Sequence, residues 1–232
     1  MQIQGATAFV TGANRGLGRH IAQQLRDRGA NVYAAARDLR SVDLEGVIPL
    51  TLDITDQSSV AAAAATAQDV SILVNNAGVA TGAGLLAGDL DQIRLEFDTN
   101  FFGTLSVTRA FASQLGRHQQ SSVLNVLSVL SWFSLPSLGG YSASKSAQWS
   151  LTNGIRQELA RQGTTVAGLH VGFMDTDLAA GIDGPKLDPA DIARTAVDAI
   201  ESGETEILGD QLSESVRAGL AGGVSALYPE FS

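Results

Sequence analysis

The sequence predicts a doubly wound α/β fold: a single domain over residues 1–232, built on a parallel sheet of about seven strands with helices on both faces. Two observations carry this expectation. Short apolar runs alternate with helical patterns from residue 6 to residue 208, spaced as parallel strands joined by crossover helices require. A glycine-rich turn, Thr11-Gly-Ala-Asn-Arg-Gly-Leu-Gly18, joins the first run to the first helix, where open sheets of this kind hold their ligands. Composition agrees, since 44% hydrophobic and 17% charged residues are enough to fill and enclose a core.

The elements follow in order. Ala6–Thr11 is an apolar run ending in the glycine turn, and Gly16–Arg28 is amphipathic, with Leu17, Ile21 and Leu25 at four-residue spacing. Asn31–Ala36, Val47–Leu52 and Val70–Asn75 are the next strands, with an alanine-rich helix over Gln57–Gln68 between the last two. Asp91–Arg117 reads as one long helix bent near Gly103. Ser122–Leu127 is a fifth strand, Tyr141–Arg161 a helix and Thr165–Val171 a sixth strand. A helix over Pro189–Glu201, a short strand at Glu206–Leu208 and a frayed helical tail from Ser213 complete the chain.

Composition also excludes functions. The absence of cysteine removes disulfide scaffolds, thiolate zinc sites and cysteine nucleophiles together. A net charge of −9 argues against binding a nucleic-acid backbone. No run reaches the ~18 apolar residues of a membrane span, and Met1–Gly5 lacks a signal-peptide pattern, so a cytoplasmic protein is expected. His20, His118 and His170 have no metal-ligand spacing and read as surface or packing residues, so no metal site is expected. Ser142 and Ser144 lie outside any Gly-x-Ser-x-Gly elbow, which disfavours a hydrolase.

Glycines at 12, 16 and 18 let the backbone turn sharply and approach a pyrophosphate resting on the helix N-terminus. A strand before and a helix after make this a dinucleotide-binding, Rossmann-type context. The Gly-x-x-x-Gly-x-Gly spacing resembles that of the short-chain dehydrogenase/reductase family, and the resemblance continues down the chain. Asp53 follows the third strand in Leu-Asp-Ile-Thr, and Asn75-Asn76-Ala77-Gly78 closes the fourth. Asn100 lies in Asp-Thr-Asn-Phe-Phe-Gly, Ser128 ends the fifth strand, and Tyr141-Ser-Ala-Ser-Lys145 follows. The match covers roughly residues 6–176 in order.

The resemblance implies a cofactor site formed by Gly12, Asn14, Arg15, Gly16, Leu17, Gly18, Arg37, Asp53, Ile54, Asn75, Ala77 and Gly78, together with Tyr141, Lys145, Gly172, Phe173 and Thr176. An acid at the end of the second strand would bind the adenine-ribose hydroxyls of NAD, but this chain has Ala36 followed by Arg37. Arg37, with Arg15 approaching from the glycine turn, suits a 2′-phosphate, so NADP(H) is the expected cofactor. The bland reading keeps both arginines as solvated surface residues, with Arg37 paired to Asp38. After the sixth strand Thr176 is implied to hold the nicotinamide carboxamide and Gly172 to allow close backbone approach. Val171 departs from the family's proline in this segment, and Leu127 from the first serine of its Ser-Ser pair.

Tyr141 and Lys145 are four apart and share a helix face. By resemblance Tyr141 is the general acid in carbonyl reduction, with its pKa drawn from ~10 toward ~7 in part by the Lys145 ammonium and further by the nicotinamide's positive charge in the oxidised complex. Ser128 steadies the developing alkoxide, and Asn100 holds a water that links Lys145 to solvent. The implied reaction is reduction of a ketone or aldehyde by NADPH. An NAD-linked alcohol dehydrogenase, a non-catalytic dinucleotide sensor and an epimerase or dehydratase are the alternatives. Leu130, Trp132, Phe133, Leu135 and Leu138 either fill the core or line an apolar pocket, and in the second case the substrate is apolar or aromatic. A short, glycine-containing segment over Ala180–Lys186 suggests a small lid, and Trp149 and Leu151 suit either the core or the helix interface of a homodimer or homotetramer.

Overall fold

In the computed structural model, which describes residues 1–181 and 183–229, every apolar run of the sequence becomes a strand of one sheet. The strands are β1 (Thr7–Thr11), β2 (Asn31–Ala36), β3 (Ile48–Thr51), β4 (Ile72–Asn75), β5 (Ser121–Val126), β6 (Thr164–His170) and β7 (Glu206–Leu208). All pairings are parallel and the order is β3-β2-β1-β4-β5-β6-β7. The order reverses between β1 and β4, which opens a crevice beyond their carboxyl ends.

The helices are α1 (Gly16–Asp27), α2 (Gln57–Thr66), α3 (Leu90–Phe97), α4 (Thr104–Leu115), α5 (Gly139–Ala160), α6 (Pro189–Ser202), α7 (Gln211–Gly219) and α8 (Val224–Leu227). Strands buried on both sides divide the core in two. One half joins Leu17, Ile21 and Leu25 of α1 to Ile192, Val197 and Ile200 of α6. The other packs Val60, Phe111, Ile155 and Leu159 against Phe9, Leu73 and Val123 of the sheet. Phe9 and Phe111 meet with ring centres 4.6 Å apart, tying α4 to β1. Among the described residues no helix is long and apolar enough to cross a membrane.

The expected long helix over 91–117, bent near Gly103, is α3 and α4 running on through a wider π turn at Asp98–Gly103. A Cβ on Gly103 would lie 2.7 Å from Ile54 Cδ1, so the backbone here is pressed against the loop after β3. The side chain of Asn100 is meanwhile held by Val79, and π turns of this kind cluster at functional sites. The C-terminal region is not a frayed tail. Asp210 caps α7 by accepting from Ser213 N at 2.9 Å, and α8 follows. Residues 230–232 of that predicted tail, and Ile182 of the predicted lid, lie outside the described residues.

Candidate active site

The glycine turn is shaped from two sides. Gly12 and Gly16 have φ of +63° and +52°, a region that disfavours any residue with a Cβ. A Cβ on Gly18 would collide with Gly12 O and Asn76 Nδ2. Asn76 Nδ2 donates to Thr11 O at 3.0 Å and Gly12 O at 3.1 Å, while Thr11 Oγ1 accepts from the N–H groups of Asn76 and Ala77, both at 3.0 Å. Thr11 and Asn76 thus latch the ends of β1 and β4 together. Both lie in the quoted motifs, yet sequence reasoning passed over their side chains in favour of Asn75. Asn75 Nδ2 instead donates within the core, to Thr108 Oγ1 of α4 at 3.0 Å and Asn125 Oδ1 of β5 at 2.8 Å.

Helix α1 begins at this turn with no side-chain cap and no acid in its first turn. Its first N–H groups and the positive end of its dipole therefore face the crevice, the arrangement that binds a pyrophosphate. The Leu17 side chain is in the core, so only its backbone can serve there. Thr176 closes the turn from above, its Cγ2 3.2 Å from where a Gly16 Cβ would be. The loop carrying Gly172, Phe173 and Thr176 folds on itself through Asp175 N to Leu187 O and Leu187 N to Phe173 O, each 2.9 Å. Gly172 N donates to Asp210 Oδ2 at 2.6 Å, so the α7 cap also fixes this loop. The turn, the exposed dipole end and the enclosing loop fit a dinucleotide.

At the adenine end, Asp53 Oδ1 accepts from Thr55 N at 2.9 Å and Thr55 Oγ1 at 2.7 Å, which shapes the turn after β3. Ile54 is buried against Gly103. Arg37 is exposed at the end of β2 and has no hydrogen-bond or ion-pair partner among the described residues. Asp38 is turned to Arg40, whose Nε is 3.2 Å from Oδ1, so the feared Arg37–Asp38 pair does not form. Arg15 differs from expectation. Its Nη1 donates to Asp177 Oδ2 at 2.6 Å, an exposed pair spanning from the glycine turn to the loop after β6. No sequence pattern links positions 162 residues apart.

The four expected reacting residues come together at the carboxyl ends of β4 and β5. Tyr141 shares a hydrogen bond with Ser128, whose Oγ also accepts from Leu130 N at 3.1 Å. Lys145 Nζ lies 5.7 Å from the centre of the Tyr141 ring and donates to Val126 O at 2.9 Å and Gln148 Oε1 at 2.8 Å. Asn100 Oδ1 accepts from Val79 N, and its Nδ2 donates to Val79 O and Ser144 Oγ, each at 2.9 Å. Gly78 sits between them, a Cβ there being 3.0 Å from Asn100 Oδ1 and 3.8 Å from Lys145 Nζ.

The connection between Asn100 and Lys145 runs through protein groups the sequence reading missed. Gln148 Nε2 donates to Thr104 Oγ1 at 2.9 Å, and that hydroxyl donates to Asn100 O at 2.8 Å. Gln148 lies three residues beyond Lys145 on α5, a face that the Tyr-x-x-x-Lys spacing already marked.

Burial dominates the pKa values that the chain's own groups give this pair. Burial pushes Tyr141 up to about 12, against a lowering by the Ser128 hydrogen bond and with a further rise from Glu96. Burial pushes Lys145 down to about 7. The chain's own groups therefore keep the phenol protonated, the form a proton donor needs. Glu96, also missed, is fully buried; its Oε1 accepts from Thr81 N at 2.7 Å and Thr81 Oγ1 at 2.8 Å. Its Oε2 lies against Gly140 in the first turn of α5 and has no hydrogen-bond partner among the described residues. The carboxylate thereby braces the loop after β4 against the helix that carries Tyr141.

The apolar stretch after Ser128 divides between both readings. Leu130 and Trp132 are buried, whereas Phe133, Leu135 and Leu138 are half-buried. A cavity of about 250 Å³ is lined by Leu85, Trp132, Phe133, Ser134, Gly139, Ser142, Ala143, Ser146 and Tyr228. Neither Ser128 nor Tyr141 is in its wall. Leu127, standing where a serine was expected, covers Gly168, where a Cβ would be 2.9 Å from Leu127 Cδ1. Val171 joins the core beside β6. Of the histidines, His170 is buried and stacked on Trp132.

Comparison with known proteins places this geometry. A family model described as short chain dehydrogenase matches residues 6–186. The chain is 30% identical over 218 residues to an uncharacterized oxidoreductase of Staphylococcus saprophyticus, covering 87% of this chain and 93% of that one. It superposes with a TM-score of 0.94 on a short chain dehydrogenase from Burkholderia cenocepacia in complex with NADP, at 36% identity over 99% of this chain and 98% of that one. A short chain dehydrogenase/reductase from Burkholderia phymatum in complex with NAD gives a TM-score of 0.86 at 26% identity over 94% of each chain.

Proposed function

The chain belongs to the short-chain dehydrogenase family, an NAD(P)-dependent oxidoreductase by that membership, and from this premise we propose that it reduces a ketone or aldehyde to an alcohol with NADPH. The observation that carries the reading is the meeting of Tyr141, hydrogen-bonded to Ser128, with the Lys145 ammonium 5.7 Å from its ring.

The glycine turn and the loop carrying Thr176 would hold a nicotinamide cofactor, which would supply the hydride. Tyr141, kept protonated, donates its phenolic proton to the carbonyl oxygen, which balances the reduction to an alcohol. Ser128 donates a hydrogen bond to the same oxygen as it gains charge. Lys145 favours the phenolate left behind, because a nearby cation stabilises the charged form. Asn100, Thr104 and Gln148 fix that ammonium. The preference for NADPH rests on Ala36 in place of an acid and on Arg37, which is free of any partner among the described residues. NADP in the Burkholderia cenocepacia relative supports it.

One observation favours the rival reading of an NAD-linked dehydrogenase: Arg15 is already paired with Asp177. The proposed substrate is a small carbonyl compound, apolar or aromatic, in keeping with Phe133, Leu135 and Leu138, which pack against the apolar cluster that includes Tyr141. A homodimer or homotetramer through the α4 and α5 faces is proposed with it, supported by exposed Phe102 at the head of α4.

The test follows loss of reduced-cofactor absorbance with NADPH and with NADH over aryl ketones, aldehydes, diketones and cyclic ketones. Faster consumption of NADPH supports the reading, and a preference for NADH overturns its cofactor half. Silence with both, despite tight NADPH binding, favours a dinucleotide sensor.

A further inference from the structure

We propose that His170 and Ser131 are a positioning pair that fixes the backbone of Ser128, and through it the hydroxyl that meets Tyr141. The inference rests on the reading of Ser128 given above and names residues outside it.

Ser128 stands in extended backbone just before a short 3₁₀ turn at Val129–Ser131. Its carbonyl oxygen is the anchor of that turn. Ser131 N donates to it at 2.9 Å and Ser131 Oγ at 2.7 Å. The His170 imidazole, at the end of β6, faces the backbone of Ser128 as well, and its Nδ1 lies 3.1 Å from Ser131 Oγ. A serine hydroxyl has one hydrogen, and here it is directed to Ser128 O. Nδ1 must therefore be the donor toward Ser131, which defines the tautomer as Nδ1–H.

The imidazole cannot swing away. It stacks on Trp132 with ring centres 3.7 Å apart and planes within 12°. Trp132 meets Trp149 edge-on at 6.2 Å, and Arg217 of α7 covers it at 5.9 Å. Ser146 Oγ of α5 donates to Ser131 O at 2.9 Å, fastening the turn from a third side. The charged groups acting on His170 are Arg217 of α7 and Arg156 and Lys145 of α5, which oppose protonation together with burial. The ring is therefore a neutral, fixed donor. An apolar residue would pack at this buried place without the cost of desolvating an imidazole. What the imidazole adds is a hydrogen bond to the Ser131 hydroxyl that holds the Ser128 carbonyl oxygen.

Misplacing a reacting group by ~1 Å can lower a rate about 100-fold, so the effect belongs in kcat. The experiment compares His170→Leu, His170→Asn, Ser131→Ala and Ser128→Ala, with NADPH affinity measured by fluorescence alongside turnover. The expected result is a kcat loss of roughly 10- to 100-fold in His170→Leu and Ser131→Ala with NADPH affinity unchanged. His170→Asn, which keeps an N–H donor, recovers most of it. In the Ser128→Ala background His170→Leu adds nothing, because it acts through Ser128. Undiminished kcat in Ser131→Ala, or equal losses in the Leu and Asn variants of His170, overturns the pairing. Full turnover in Ser128→Ala instead overturns the reading of Ser128 itself. Nitrogen NMR of the imidazole is independent of any substrate: the neutral Nδ1–H form near neutral pH is expected, and the Nε2–H form overturns the proposal.

Discussion

Asp38 turns its carboxylate to Arg40, with Oδ1 3.2 Å from Nε and Oδ2 3.4 Å from Nη2, and accepts from Arg40 N at 3.0 Å as well. The acid one residue past Arg37 is thus occupied on the far side, and the Arg37 guanidinium stands exposed at the end of β2. A charge-assisted hydrogen bond is worth about 1.5–3 kcal/mol, so Arg37→Ala is expected to weaken NADPH binding roughly 10- to 100-fold and leave NADH nearly unchanged. Ala36→Asp is expected to do the same and to strengthen NADH. Titration of each cofactor by fluorescence checks both.

Arg15 and Asp177 make the opposite case. Their side chains are 67% and 71% exposed, so the pair contributes little to stability. Asp177→Asn releases Arg15 toward a 2′-phosphate and is expected to tighten NADPH binding at low salt by a fewfold at most, with the gain fading as salt screens the charge. Unchanged affinity at low salt would mean that Arg15 does not reach the phosphate.

Glu96 raises the Tyr141 pKa from a buried position, and Glu96→Gln keeps the Oε1 acceptor for Thr81 while removing the charge. The limb of the pH–kcat profile that reports Tyr141 is expected to move to lower pH, by about one unit or less. A limb that stays in place while stability falls would make Glu96 a structural brace alone.

Lys145 sits at about 7 in the folded chain against 10.5 when unfolded. Between those values the unfolded chain binds more protons, so this group makes stability rise with pH, by up to about 1.4 kcal/mol per unit. Below the folded value the penalty of burying the ammonium is complete. Lys145→Met is expected to flatten the curve over that window and to unfold at higher denaturant than the parent at pH 7 without cofactor. His170 adds a second window: at about 4 folded and 6.5 unfolded, it makes stability fall as pH drops between them. Denaturant titrations across both ranges check the two signs.

Much of this was legible in the sequence because periodicity and punctuation are local. The four-residue spacing of Leu17, Ile21 and Leu25 placed α1 on the sheet, and these residues are buried there. The glycines of the first turn were equally plain, since positive φ is a property of single residues. Less legible were contacts between distant segments. Asn76 reaches back to Gly12, Asp210 reaches Gly172, and Glu96 braces Thr81, each through a side chain whose partner the sequence does not mark. The long helix bent near Gly103 was legible too, but the π character of the bend was not, because a π turn leaves hydrophobic spacing almost intact. Burial of both Tyr141 and Lys145 outweighs their proximity, a balance that their spacing in the sequence does not mark.

The central claim is that Tyr141 delivers the proton. The most direct test binds NADPH to Tyr141→Phe and then follows its oxidation by the best carbonyl substrate of the panel. The account predicts cofactor affinity within a fewfold of the parent and a rate lowered roughly 100- to 10,000-fold. Turnover near that of the parent would contradict it and place the proton donor elsewhere.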